Sequence, residues 1–168
     1  MRFLLALAVA FTALTGCSPA GDRASVGGQL APQHHFTLKD VHGNEMTLDA
    51  LLAANKAVLL NFWATWCPPC REEIPDLIKL QKKYEGQPFT VVGIDVGESS
   101  DRVTAFAEKV GINYMLLLDS DSRVAEKYKV VGIPTSLLVS RDGKILGKYH
   151  AVTPQMTSDV EKAMADSA

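Results

Sequence analysis

The chain has 168 residues, 17 of them basic and 19 acidic, for a formal charge of −2, and 47% of its residues are hydrophobic. A near-neutral balance of this kind gives no electrostatic case for binding nucleic acid or an anionic lipid surface. The length suits one domain with a substantial core, and no repeat or composition shift marks a second.

Met1-Arg2 followed by the apolar run Phe3 to Leu14 has the charged start and short hydrophobic stretch of an export signal, too short for a membrane span. It ends in Leu14-Thr15-Gly16-Cys17, which resembles the bacterial lipobox, whose cysteine is lipidated and becomes the new first residue. The expectation is a lipoprotein signal over residues 1–16, an acylated Cys17 and a membrane-anchored protein facing the periplasm or extracytoplasmic space. An ordinary signal peptide that leaves Cys17 lost or free is the alternative. Cleavage before Cys17 removes one basic residue, Arg2, and leaves 16 basic against 19 acidic, so the acyl chains must hold the protein to its membrane. Ser18 after the lipidated position resembles outer-membrane sorting in Gram-negative lipoproteins, which leaves the choice of membrane open. Residues 17–33 read as the lipidated cysteine and a flexible tether, rich in small and turn-forming types; sixteen such residues reach roughly 20–24 Å as a coil. Residues 34–168 read as the globular domain.

Phe36 to Lys39 and Glu45 to Leu48 flank Val41-His-Gly-Asn, a hairpin signal in which Gly43-Asn44 supplies positive backbone angles. Ala57 to Trp63 and Phe89 to Val96 are short, nearly continuous apolar runs, as in strands buried on both faces. Pro69 to Tyr84 between them has helical periodicity. Strand, helix and strand predict a right-handed parallel unit with its functional residues at the strand's carboxyl end. A helix over Ser99 to Val110 capped by Ser99 or Ser100, a strand over Tyr114 to Leu118 and a short helix over Arg123 to Tyr128 follow. Thr135 to Ser140 and Lys144 to Tyr149 pair across Arg141-Asp-Gly, and Pro154 opens a last helix through about Ala165.

Trp66-Cys67-Pro68-Pro69-Cys70 lies between the first buried strand and the helix after it. The amino end of a helix favours a thiolate, so Cys67 is the expected nucleophile, and Cys70, one turn further in and shielded, is placed to resolve the mixed disulfide. A zinc site would need a second ligand pair; the remaining Cys17 and His34, His35, His42 and His150 lack that spacing. Haem attachment would need histidine where Arg71 stands. A structural bridge would close a loop of only two intervening residues and remove little unfolded-state entropy. No metal and no cofactor is expected. Three cysteines are an odd number, and lipidation of Cys17 would leave the other two as the redox pair.

With strand, CxxC, helix and then Gly132-Ile133-Pro134-Thr135, the sequence resembles the thioredoxin superfamily over roughly residues 35–165, and most closely its membrane-anchored TlpA/ResA branch of thiol-disulfide oxidoreductases. The resemblance rests on Asn61-Phe-Trp-Ala-Thr-Trp-Cys-Pro-Pro-Cys, on Pro75, on Gly97-Glu-Ser and on Gly132-Ile-Pro-Thr. It implies an α/β fold with a central mixed sheet flanked by helices, an amino-terminal β-hairpin, and an inserted strand-helix unit that includes the helix at 99–110. It also implies a cis Ile133-Pro134 bond facing the cysteines, beside which a substrate strand would pair, and a Pro75 that kinks its helix. The physical alternative is a trans proline beginning a strand. Asn61 stands where plain thioredoxin has a buried aspartate; the TlpA/ResA branch instead has a glutamate three residues after the second cysteine, here Glu73. One turn of helix from Cys70, with a carboxyl whose pKa burial would raise, Glu73 is the proton-handling candidate. The alternative is a surface acid at the helix start, the preferred reading for Glu72. Trp63 reads as core, and Trp66 as the apolar rim on which a substrate chain rests.

The expected activity is reduction of protein disulfides through Cys67 and Cys70 by a monomeric enzyme. The resemblance implies a membrane thiol reductase of the DsbD/CcdA kind as electron donor and the CxxC of apocytochrome c as a substrate. An exported compartment is oxidising, so a reductase there needs a dedicated donor. The motif leaves direction open, since dithiol proteins of one fold span roughly −270 to −120 mV. An oxidase or isomerase with the opposite electron flow is one rival; a lipoprotein that captures copper or a partner chain without turnover is the other.

Overall fold

The computed structural model describes residues 27, 28, 30 and 34–165. Cys17 and the signal segment lie outside them. In chain order the elements are β1 Thr37–Asp40, β2 Glu45–Thr47, α1 Leu48–Ala54, β3 Ala57–Trp63, α2 Pro68–Lys83, β4 Phe89–Val96, α3 Ser100–Val110, β5 Met115–Asp119, α4 Arg123–Lys127, β6 Thr135–Ser140, β7 Ile145–Tyr149 and α5 Pro154–Ala165. The seven strands form one sheet in the order β2-β1-β5-β4-β3-β6-β7. β3, β4 and β5 run parallel, while β6 is antiparallel to β3, β7 to β6, and β1 to both β5 and β2. This is the expected mixed, thioredoxin-like sheet, with the β1-β2 hairpin at one edge and the β4-α3-β5 unit inserted beside β3.

Every residue of β3 is buried, because the strand is central and has helices over both faces. Leu59 and Trp63 face one core layer with Ile74, Leu77 and Leu80 of α2, Val103 of α3, and Met156 and Val160 of α5. Val58, Leu60 and Phe62 face the other, with Leu48, Leu51 and Leu52 of α1 and Val124 and Ala125 of α4. The alternation along β3 therefore puts Asn61 on the α2 side, the one polar residue in that strand. Pro75 lies inside α2.

The hairpin turn is closed by Asp40, whose carboxylate accepts from the His42 and Asn44 N–H groups and from Asn44 Nδ2. Of the Gly43-Asn44 pair only Gly43 has a positive φ, at 87°, because the Asp40 side chain supplies the turn that Asn44 was expected to help make. Helix α1 departs from the sequence reading, which ran Leu48 into the second hairpin strand. Thr47 caps it, its Oγ1 accepting from Ala50 N, and its three leucines cover the sheet. The assigned tether also ends earlier than composition suggested. Gly27 N donates to Ile145 O, Ile145 N to Gly28 O, and Leu30 N to Gly143 O, each at 2.8–3.0 Å, and Leu30 is only 7% exposed. A leucine with an apolar cleft to fill and a strand edge with unpaired N–H and C=O groups hold this stretch to the domain.

Candidate active site

β3 ends at Trp63, and the chain makes a tight turn before α2, with Cys67 N donating to Ala64 O at 3.2 Å. Cys67 is the N-cap of α2: its backbone is extended and its Sγ accepts from Cys70 N at 3.3 Å, while Pro68 and Pro69 occupy the first helical positions, where no N–H is needed. Cys67 and Cys70 are joined as a disulfide, with 5.3 Å between their Cα atoms. The local sequence thus places a sulfur where the helix leaves unpaired N–H groups, the setting that stabilises a thiolate once the bond is reduced.

The Gly132–Thr135 loop meets this turn. Ile133-Pro134 is cis, and the Ile133 carbonyl oxygen lies 3.7 Å from Cys67 Sγ. Thr135 Oγ1 donates to Gly132 O at 2.7 Å, and His150 Nδ1 lies 3.2 Å from both Thr135 Oγ1 and Pro134 O, bracing the loop from behind. Trp66, Cys67, Cys70, Ile133 and Pro134 therefore come together as expected. The two sulfurs are more enclosed than an open dithiol: Cys67 is 3% exposed and Cys70 fully buried. Trp66 stands out at 61%, whereas Trp63 is core. Val131, at 94%, is a second bare apolar side chain, two residues before Ile133; the sequence reading passed over it because a valine in a loop carries no pattern.

Glu73 sits one turn beyond Cys70 on the buried face of α2, and Glu72 is exposed. Glu73 Oε1 accepts from Asn61 Nδ2 at 2.7 Å, and Asn61 Nδ2 also donates to Ser136 Oγ at 2.9 Å. Glu73 Oε2 has no hydrogen-bond partner among the described residues. Burial pushes the Glu73 carboxyl up to about 7, against a smaller opposing effect of the Asn61 hydrogen bond. Its charge adds to burial in raising the Tyr114 phenol. A buried carboxyl pushed up to about 7, one helical turn from the buried second cysteine, is chemically suited to exchange a proton there.

A second buried acid group was not read from the sequence. Glu98, from the 97–99 segment after β4, accepts from Thr65 N at 2.6 Å and from Thr65 Oγ1 at 2.8 Å. Behind it Asp95 is fully buried, with its carboxyl pushed up to about 8 by burial first and Glu98 next. Among the described residues no group of three or more histidine, cysteine, aspartate or glutamate side chains could hold a metal ion, and no helix is long and apolar enough to cross a membrane.

The chain is similar to several known proteins. The chain is 37% identical over 109 residues to the thiol-disulfide oxidoreductase ResA of Bacillus subtilis, covering 65% of this chain and 59% of that protein. It is 33% identical over 125 residues to ResA of Geobacillus kaustophilus, covering 74% of this chain and 69% of the relative. The chain thus spans little more than half the length of the Bacillus subtilis relative. Among solved structures, the thioredoxin domain of a thiol-disulfide oxidoreductase from Bacteroides vulgatus superposes with a TM-score of 0.72 at 27% identity, covering 83% of this chain and 98% of that one. The AhpC/TSA family model matches residues 28–148, from Gly28 into the last strand, and takes in the cysteine pair, Glu73, Glu98 and the cis proline. The chain belongs to the AhpC/TSA family and has its thioredoxin-like fold.

Proposed function

We propose that the protein is a thiol-disulfide oxidoreductase that reduces protein disulfides with Cys67 and Cys70, held to a bacterial envelope membrane through a lipidated Cys17. The observation that carries the reading is the Cys67–Cys70 disulfide at the amino end of α2, with the Ile133 carbonyl 3.7 Å from Cys67 Sγ and Trp66 exposed beside it. Relatives at 37% and 33% identity bear the name thiol-disulfide oxidoreductase.

In the reduced enzyme the Cys67 thiolate attacks one sulfur of the substrate disulfide, forming a mixed disulfide and expelling the other substrate sulfur as thiolate. Cys70 gives its proton to the Glu73 carboxylate, and its sulfur attacks Cys67 Sγ, expelling the second substrate thiolate. Two electrons have then passed to the substrate, and the enzyme is in the disulfide form described above. The substrate strand lies along Ile133-Pro134, using the backbone groups at that edge, with Trp66 beneath it. Recharging takes two electrons from another dithiol; a membrane thiol reductase of the DsbD/CcdA kind fits a domain tethered outside the cytoplasm. The CxxC of apocytochrome c is the substrate this reading favours. Residues 1–16 are the signal, and the domain works as a monomer.

Two measurements test it. The purified domain should accelerate insulin reduction by dithiothreitol, and Cys67→Ser should abolish the effect; equal rates with and without the enzyme would refute the activity. Thiol trapping in intact cells should find the pair mostly reduced, and a fully oxidised pair would reverse the proposed direction.

A further inference from the structure

Glu98 lies outside the cysteine motif, yet both oxygens of its carboxylate are spent on the segment that leads into it. Ala64 to Cys67 is a turn closed by the Cys67 N–H on Ala64 O at 3.2 Å, with Thr65 and Trp66 as its central residues. The N–H of the first central residue of such a turn points away from it, and here it is buried. A buried donor left without a partner in that position destabilises the fold. Glu98 Oε2 takes it at 2.6 Å, and Oε1 takes the Thr65 hydroxyl at 2.8 Å.

Glu98 is itself held from several sides. Its N–H donates to Asp95 Oδ1 at 3.1 Å, Ser120 Oγ donates to its carbonyl at 3.1 Å, and Arg102 Nε lies 3.1 Å from Oε1. Gly97, at a φ of 86°, turns the chain into this position. Burial, and then Glu98, push the Asp95 carboxyl up to about 8, which disfavours a second charge behind Glu98. A buried carboxylate with charge-assisted bonds on both oxygens is a rigid support, and it is anchored to β4, α3 and the β5–α4 loop at once.

We propose that Glu98 is a positioning residue for the attacking cysteine: by gripping Thr65 at its N–H and its hydroxyl, it fixes the Ala64–Cys67 turn, aims Cys67 Sγ at the Ile133 edge and presents Trp66 to the substrate. The proposal rests on the reductase reading for its consequence in turnover, but its geometric content is independent of any substrate. Cys67 Sγ meets the Ile133 carbonyl from this turn, and the Thr65–Glu98 bonds tie the turn to the segment between β4 and α3.

The test compares Glu98→Ala, Glu98→Gln and Thr65→Val in the reduced protein, with urea midpoints checking that each is folded. Two rates are read: alkylation of Cys67 by iodoacetamide from pH 5 to 9, and kcat/KM for insulin reduction. Glu98→Ala should lower kcat/KM tenfold or more and displace the alkylation pH profile. Glu98→Gln, which still offers an acceptor to the Thr65 N–H, should stay within about threefold of wild type. A folded Glu98→Ala within twofold of wild type in both rates overturns the proposal, and so does a folded Glu98→Gln that falls as far as alanine. Should Glu98→Ala fail to fold, Thr65→Val decides: it keeps the backbone and loses only the hydroxyl, and a three- to fivefold loss supports the proposal while an unchanged rate overturns it. A wild type that does not reduce insulin refutes the reductase reading alone, because the alkylation profile still tests the grip of Glu98.

Discussion

Asn61 donates from Nδ2 to Glu73 Oε1 at 2.7 Å, joining the middle of β3 to the first turns of α2 directly beneath the cysteine pair. The amide cannot titrate, so the proton that moves in this buried pair belongs to Glu73. Its carboxyl changes state at about pH 7, pushed there by burial against the pull of Asn61. Glu73 can then accept the proton of Cys70 only in its charged form, above that pH. Disulfide reduction should rise with pH through about 7, and Glu73→Gln should remove that limb and lower the rate on the order of 100-fold. The glutamine keeps an acceptor for Asn61, so the fold is expected to survive. Stopped-flow reduction of a peptide disulfide from pH 5 to 9 makes the measurement; a Gln variant that retains the same inflection would take Glu73 out of the proton path.

Asn61→Asp replaces the donor with a second acid against Glu73 Oε1. Two carboxyls at that separation share one proton, and the pair then titrates in two coupled steps, one of them well above the wild-type value. The inflection in the pH-rate profile should move upward. The upward move needs both acids: in an Asn61→Asp, Glu73→Gln double variant the one remaining acid faces no carboxylate, and any inflection it gives should lie below that of Asn61→Asp.

Glu73 and Asp95 both have folded-state carboxyls raised by burial, to about 7 and about 8. A raised carboxyl gives its stabilising contribution fully below its unfolded value and loses it as pH climbs through the folded one. The oxidised protein should therefore weaken between pH 4 and pH 8, by on the order of 3 kcal/mol for the Glu73 shift, taking 1.36 kcal/mol for each pH unit. Asp95→Asn keeps an acceptor for the Glu98 N–H and loses the titration, so it should flatten the upper part of this decline. Urea unfolding at pH 5, 7 and 9 checks both; parallel curves for wild type and Asp95→Asn would show that Asp95 is already charged in the fold.

Two tryptophans three residues apart should separate function from stability. Trp63 is packed between the sheet and Phe106, with ring centroids 5.7 Å apart, and Trp63→Ala should cost about 3–5 kcal/mol. Trp66 is mostly exposed, so Trp66→Ala should change stability by no more than about 0.5 kcal/mol while raising KM for a protein substrate. Urea midpoints and insulin kinetics on the two variants make the comparison.

The central strands and the cysteine turn were legible because their signals are local: seven buried residues in a row for β3, and two thiols at a strand-to-helix junction. Asn61 and Glu73 were each singled out, but their bond joins residues 12 apart on different elements, and no spacing rule reports it. The Glu98 grip on Thr65 spans 33 residues and depends on how β4 lies beside β3, which is tertiary information. Helix α1 was hidden for a different reason. Its seven residues follow a strand without a break, and Thr47 serves both as the last strand residue and as the cap.

Leu30 shows where composition misleads about the start of a domain. Surrounded by glycine, alanine, glutamine and proline, it reads as part of a tether, yet it is buried against the core layer that includes Leu52, Val139 and Ile145. Its N–H donates to Gly143 O, and Gly27 and Gly28 exchange hydrogen bonds with Ile145 along the outer edge of β7. Leu30→Ala removes a side chain that is 7% exposed and should cost about 2–3 kcal/mol. A chain beginning at Gly27 should keep the wild-type urea midpoint. One beginning at His34 loses three backbone hydrogen bonds with the leucine and exposes the β7 edge, so it should unfold earlier and associate more readily at high concentration. Equal midpoints for the two truncations would return residues 27–30 to the tether, and light scattering on the shorter chain reads the edge directly.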